Sequence, residues 1–216
     1  GGPQVAMDVA KTLEHTTVVV AQNTDNYGLG GSHKVAFRRC LDGGHDGLVV
    51  FHGDDQGRLE DLMSALDTAQ PNAECVLGAR FMPGSKLVGY APHRIAANVV
   101  FNALFSLISL SKLWDLGSGL NAYTRAFLTR ELWLHCADDL TFNYHLILRT
   151  AATPKLPIRF VPISWREEDQ VSNAKLFAHG MEMLRIVWQF VVRRRRFVTT
   201  DHSGFVGQRT CKVLNG

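Results

Sequence analysis

Cysteine is scarce in this 216-residue sequence: Cys40, Cys75, Cys136 and Cys211 lie far apart, with no C-x-x-C pair. That excludes a zinc knuckle or a disulfide scaffold and fits a reducing compartment. Long apolar runs are missing too. The longest, Val99 to Leu110, is broken by Asn102, Ser106 and Ser109, too short and too polar to span a bilayer. Gly1-Gly2-Pro3 is not a basic stretch before an apolar one, so no signal peptide is expected. No H-E-x-x-H, G-x-S-x-G or H-x-E…C-x-x-C motif occurs, which leaves zincin, α/β-hydrolase and deaminase chemistry unsupported. Charge of one sign is lacking as well: the net charge is +3, which disfavours a uniformly basic nucleic-acid binder. The charge is uneven, however. Residues 193–216 carry six basic residues, Arg193 to Arg196, Arg209 and Lys212, against Asp201 alone, so the remaining body is mildly acidic.

What is present is an ordinary globular composition. Hydrophobic residues make up 46% and charged residues 20%, and the mean hydropathy is −0.03. A disordered or collagen-like chain is excluded, and a single domain is the default for this length. Strands alternate with helices. Gln4 to Glu14 reads as a short helix, Thr16 to Gln22 as a buried β-branched strand, and Ser32 to Leu41 as a helix. Gly47 to His52 reads as a second buried strand, Leu59 to Ala69 as a helix and Glu74 to Gly78 as a third strand. Arg94 to Leu110 is a long helix whose Arg94, Asn98, Asn102 and Ser106 form one polar stripe. Asp138 to Ala151 is helical, Leu156 to Ile163 a short strand, and Asn173 to Val192 an amphipathic helix. This order predicts a mostly parallel α/β sheet whose ligands bind beyond the carboxyl ends of the strands.

Two Gly-rich turns lie at such ends. In His52-Gly53-Asp54-Asp55-Gln56 the carboxylates follow a buried strand, where solubility does not require them. Oxygen donors of this kind suit Mg²⁺ or Mn²⁺ shared with substrate phosphates; a helix-capping turn is the alternative. Asn26-Tyr27-Gly28-Leu29-Gly30-Gly31-Ser32 opens a helix after a strand. It suits a phosphate or equally a tight connection, being neither a P-loop nor a full G-x-G-x-x-G. Arg80 and Arg94 have the forked donors that meet phosphate, and Asp115 sits in a Gly-rich loop.

Taken in order, these pieces resemble the family 2 glycosyltransferases of the GT-A fold, especially the polyprenyl/dolichyl-phosphate mannosyltransferase-like branch. The matching residues are Asn26, Gly28 and Gly30; His52 to Gln56; Gly78-Ala79-Arg80; Arg94 and Asn102; Asp115 with Ser118-Gly119-Leu120; then Pro162-Ile163, Arg166 and Ser172. The match covers roughly residues 15–180. The resemblance implies a GT-A type, Rossmann-like, mostly parallel sheet flanked by helices and lacking the pattern's first strands. Residues 1–192 would be a partial transferase domain and 193–216 a basic, disordered tail.

The implied activity is metal-assisted, inverting transfer of a sugar from a nucleoside-diphosphate sugar to a lipid phosphate or growing surface glycan, with Mg²⁺ or Mn²⁺ bridging the diphosphate. Asn26, Gly28, Gly30, Asp54, Asp55 and Asp115 would hold the nucleotide sugar, and Asp54, His52 and Gln56 the metal. Arg80, Arg94, Arg166 and Ser172 would hold donor or acceptor phosphate, with Asp138 and Asp139 as loose matches to the acidic residue that serves as the family's catalytic base. An ionised lipid phosphate needs little base. His52 departs from the family's first metal Asp, and Asn173 from its Lys. Location at the cytoplasmic membrane face is implied. Asn173 to Arg196 would touch the headgroups, although four arginines also suit a solvated helix end. An inactive fragment binding a membrane or partner remains the alternative, as does a nucleotidyltransferase of related fold.

Overall fold

The computed structural model describes residues 2–13, 15–67, 73–167 and 173–215. Along the chain, α1 (Gly2–Ala10) is followed by β1 (Ala21–Asn23), α2 (Gly28–Asp42), β2 (Gly47–Phe51), α3 (Leu59–Asp67), β3 (Cys75–Ala79) and β4 (Lys86–Val88). Then come α4 (Pro92–Ser109), β5 (Leu120–Thr124), α5 (Arg125–Leu128), α6 (Phe142–Ala152), β6 (Ile158–Pro162) and β7 (Ser164–Arg166). The chain ends in α7 (Asn173–Val192), α8 (Arg194–Thr199) and β8 (Cys211–Val213).

The main sheet has the order β2-β5-β3-β6. β5 is antiparallel to both neighbours while β3 and β6 pair in parallel, so β2, β3 and β6 all point the same way. This is the expected α/β layering, with one reversed strand inserted. Period-2 alternation divides the core between the two faces. Cys75, Leu77 and Tyr123 pack with Phe37, Phe127, Trp133 and Phe142 on one face. Val76, Leu120 and Ala122 pack with Leu62 and Ile163 on the other. Helix α3 covers the second face at β5 and β6, while α4, α6 and α7 pack against one another over the first.

Several expectations are corrected. Thr16 to Gln22 is not a buried strand: only Ala21–Asn23 pairs, at the surface, because a β-branched run forms a strand only where a ladder partner exists. Strand β2 is not buried but forms a sheet edge, leaving Val49 and Phe51 exposed. The helix read from Asp138 starts at Phe142, because Asp139 accepts from the Thr141 N–H (2.8 Å) and hydroxyl (2.6 Å) and sets the entrance turn.

Residues 193–215 include α8 and β8. β8 pairs antiparallel with β1, Ala21 opposite Val213, and Asn215 donates to the Val18 carbonyl at 2.7 Å. The buried Arg149 donates to the carbonyls of Phe197, Val198 and Thr200 and, with the His202 ring at the Phe197 carbonyl, closes the end of α8.

Candidate functional site

The turn after β2 is zippered onto β7. Arg166 N donates to the Gln56 carbonyl (2.8 Å), Trp165 Nε1 to Gln56 Oε1 (3.1 Å), and Arg166 Nη2 meets Asp55 Oδ2 at 3.2 Å. Asp55 adopts φ 56°, a left-handed backbone that costs a non-glycine residue energy and is commonest at functional turns. Asp54 is exposed, its Oδ1 accepting from Gln56 N at 3.3 Å. His52 points elsewhere. Its backbone N donates to the Gly119 carbonyl (3.1 Å), its ring stands 5.9 Å from that of His33, and its buried Nε2 has no hydrogen-bond partner among the described residues. Burial pushes its pKa down, against the pull of Asp54, so the ring stays neutral near pH 7.

The three expected metal ligands therefore do not form one cradle. The Gln56 amide oxygen serves Trp165 and the His52 ring is packed inward. No group of three or more His, Cys, Asp or Glu among the described residues could hold a metal ion. Only Asp54 keeps the character of a ligand, and a hard cation there would take its other oxygens from phosphate.

Arg80 follows β3 and meets Asp115 in the loop before β5. Nε and Nη2 reach the two carboxylate oxygens at 2.8 and 2.9 Å, Nη2 also reaches the Gly117 carbonyl (3.0 Å), and Nη1 the Tyr90 hydroxyl (3.1 Å). Burial opposes the charge, but Asp115 more than offsets it and holds the guanidinium cationic. The fork expected to meet phosphate is engaged by Asp115. Gly119, at φ +74°, lies so close to the His52 ring that any Cβ would collide with it. Gly119→Ala is expected to destabilise the protein by about 2 kcal/mol from backbone strain, more if His52 cannot move; urea unfolding checks this.

Arg94, at the start of α4, pairs with Glu167 (3.0 Å) and lies over the Tyr90 ring at 5.6 Å. Arg80, Arg94 and Arg166 thus each meet a carboxylate from a distant segment. The predicted polar stripe of α4 divides. Asn98 lines the cavity described below, whereas Asn102 donates to the Trp114 carbonyl and Ser106 accepts from Leu113 N, fastening the following loop. Ser172 lies outside the described residues.

The Asn26–Gly31 turn receives main chain. A Cβ on Gly28 or Gly30 would strike the carbonyls of Asp138 or Ala137, and Gly31 N donates to the Asp138 carbonyl at 3.1 Å. Both Asp138 oxygens are engaged: Oδ1 by Lys34 (2.9 Å), Oδ2 by Arg209 (2.6 Å) and the N–H groups of Gly204 and Phe205 (2.8 and 2.9 Å). Asp139 serves the α6 entrance. Asp138 is thus bound at both oxygens, whereas the Asp139 hydrogen bonds are both accepted by Oδ1. Spacing could not have signalled this, since Lys34 and Arg209 are remote in sequence.

Between α4 and α7 runs a cavity of about 630 Å³. Arg80, Tyr90 and Arg94 belong to its lining, as do the apolar Phe101, Met181 and Leu184. Tyr144 and His179, not singled out by sequence, also line it, Tyr144 Oη lying 2.6 Å from His179 Nε2. The cavity thus begins beside Arg80 at the end of β3 and Gly117 of the loop before β5.

No family model matches the chain. It is 30% identical over 162 residues to a protein of Micrococcus luteus named undecaprenyl-phosphate mannosyltransferase, covering 74% of this chain and 65% of that one. It is 24% identical over 153 residues to the polyprenol monophosphomannose synthase of Mycolicibacterium smegmatis, covering 70% of this chain and 57% of that one. The chain thus spans less than two thirds of either relative's length.

Proposed function

We propose that this chain, related in sequence to the polyprenyl-phosphate mannosyltransferases, is a glycosyltransferase that moves a sugar from a nucleoside-diphosphate sugar to the phosphate of a polyprenyl lipid. The observation that carries the reading is the cavity between α4 and α7. It has the cationic side chains of Arg80 and Arg94 at one end and continues between apolar helix faces, a shape and polarity suited to a phosphate head on a hydrocarbon tail.

The lipid phosphate is already anionic, so one of its oxygens attacks the anomeric carbon as the bond to the diphosphate breaks. The nucleoside diphosphate leaves from the opposite face, which inverts the centre. No proton has to be removed, in keeping with the engagement of both Asp138 oxygens by Lys34, Arg209 and two N–H groups. Arg94 supplies positive charge to the acceptor side, with Arg80 held behind it by Asp115. Asp54 is the residue that would hold a divalent cation, which would neutralise charge on the departing diphosphate.

The acceptor's tail requires a lipid surface. Exposed Phe177, Met181, Trp188 and Val191 on α7, exposed Leu107 and Leu110 at the end of α4, and the four exposed arginines Arg193 to Arg196 suit an anionic bilayer interface. No helix among the described residues is long and apolar enough to cross a membrane.

The test is transfer of radiolabelled sugar from GDP- and UDP-sugars into organic-extractable material by the full chain. Label should appear with a polyprenyl phosphate and not with the free polyprenol; absence of transfer to any phosphate acceptor would overturn the reading. Gly180→Leu offers a steric check. An ideal Cβ at Gly180 would lie 3.6 Å from Phe101 without collision, and branches beyond it would fill the cavity. Stability should hold or improve, since glycine in a helix interior costs roughly 0.5–1 kcal/mol, while prenyl-phosphate affinity falls about tenfold or more. Calorimetric titration beside thermal unfolding separates the two effects. A second reading, a catalytically silent binder of the same lipid, draws on the inward-packed His52 and the occupied Gln56.

A further inference from the structure

Five residues that α7 gives the cavity wall, Phe177, Gly180, Met181, Met183 and Leu184, carry no polar side chain; His179 is the contrast. Its Nε2 lies 2.6 Å from the Tyr144 hydroxyl on α6, and the two rings stand 5.6 Å apart. Tyr144 in turn lies close enough to the Arg80–Asp115 pair to feel both charges. Two polar pairs, Asp115–Arg80 and Tyr144–His179, thus lie near one another beside a largely apolar cavity. A core histidine needs only one satisfied partner to be tolerated. Here the partner is a phenol, and both rings line empty volume.

The hydrogen-bond count is informative. Burial raises the Tyr144 pKa and lowers that of His179, so at neutral pH both are uncharged. A neutral imidazole has one donor and one acceptor, and the phenol one O–H. If Tyr144 donates to Nε2, His179 keeps a proton on Nδ1. If Nε2–H donates to the phenol oxygen, the Tyr144 O–H is released. In either arrangement the pair retains one donor for a third group, and an acceptor phosphate is a group of the matching kind.

We propose that Tyr144 donates to His179 Nε2 and that His179, so braced, is a specificity-determining residue whose Nδ1–H supplies a hydrogen bond to the phosphate head of the prenyl acceptor. It makes the cavity select a phosphorylated lipid over the corresponding free alcohol. The proposal rests on reading the cavity as the acceptor site. It adds a residue for which the motif pattern offers no counterpart, and it divides the work: Arg94 supplies charge, His179 a directed donor, and the apolar walls hold the chain.

The test is calorimetric titration of the full chain with geranyl phosphate and with geraniol, in wild type, His179→Leu, His179→Gln and Tyr144→Phe, with thermal unfolding recorded for each. Wild type should prefer the phosphate. His179→Leu should weaken geranyl phosphate about tenfold, the loss expected for one hydrogen bond to a charged group, while geraniol affinity stays unchanged. His179→Gln keeps an N–H donor and should retain phosphate affinity within about threefold, and Tyr144→Phe should weaken the phosphate without affecting the alcohol. Equal loss of both ligands in His179→Leu would mark a purely structural role and overturn the proposal, as would no loss of either. Wild type binding neither ligand would overturn the acceptor-site reading itself, and this inference with it.

Discussion

Replacing Asp115 with alanine is expected to destabilise the protein by about 3–5 kcal/mol, the cost of leaving a buried charge without its partner. Asp115 is 2% exposed, and its oxygens accept from Arg80 N, Nε and Nη2 and from Gly117 N. Truncation strands the Arg80 guanidinium, whose side chain is 14% exposed and which is also wedged 5.1 and 5.4 Å from the Phe81 and Trp165 rings. Arginine cannot escape by losing its proton. The penalty should therefore be nearly constant between about pH 5 and pH 9. Urea unfolding across that range checks it. For a domain of this size the melting temperature should fall on the order of 10 °C, and prenyl-phosphate binding should weaken too, since the loop and Arg80 form the head of the cavity. A loss under about 1 kcal/mol would show that the pair is not holding the edge together.

Asp138→Ala should cost a similar amount, about 3–5 kcal/mol near pH 7, but with a different pH signature. The stranded partner is Lys34, whose side chain is 3% exposed and whose pKa burial already lowers. Without Asp138 it can shed its proton. The variant's folded state then binds fewer protons than the unfolded one, so its stability should recover as pH rises toward the ordinary lysine pKa of about 10.4. At the acid end the sign reverses. Burial alone would raise the Asp138 pKa, but Arg209, Lys34 and the Phe205 N–H outweigh it and hold the carboxyl below its usual range. Its stabilisation is present above the unfolded value of about 3.9 and is lost as pH falls through the lowered folded value. Wild type should show that acid loss, and Asp138→Ala should lack it. Equal penalties for the two variants at pH 7 and pH 9.5 would refute the Lys34 account.

These variants mark what the sequence made legible. Apolar periodicity located α4 and α7 within a residue or two, since their faces repeat strongly, and the buried run of β3 was equally clear. Of the Asp54, Arg80, Arg94, Asp115 and Arg166 motifs, the structure pairs Arg80 with Asp115 after β3 and brings Arg166 of β7, in a separate two-stranded sheet, to the turn after β2. What the sequence could not convey was partnership. That Arg80 belongs to Asp115, Arg94 to Glu167 and Asp138 to Lys34 depends on tertiary approach, which no local spacing encodes. The same holds for β8. Phe197 to Gly216 carries little periodicity, yet Cys211–Val213 pairs with β1 and Phe205 packs edge-on against Tyr27 at 4.7 Å. Tyr144 and His179 are 35 positions apart and belong to no motif, so only the fold brings them to the cavity.

Photo-crosslinking the full chain with a benzophenone-tagged prenyl phosphate, followed by mapping of the adducts, asks whether the space between α4 and α7 receives a prenyl phosphate. Adducts are expected on cavity-lining residues such as Phe101, Met181 and Leu184, displaced by excess geranyl phosphate and lost in Gly180→Leu. Adducts confined to other surfaces, or labelling of the cavity that Gly180→Leu leaves unchanged, would contradict such binding.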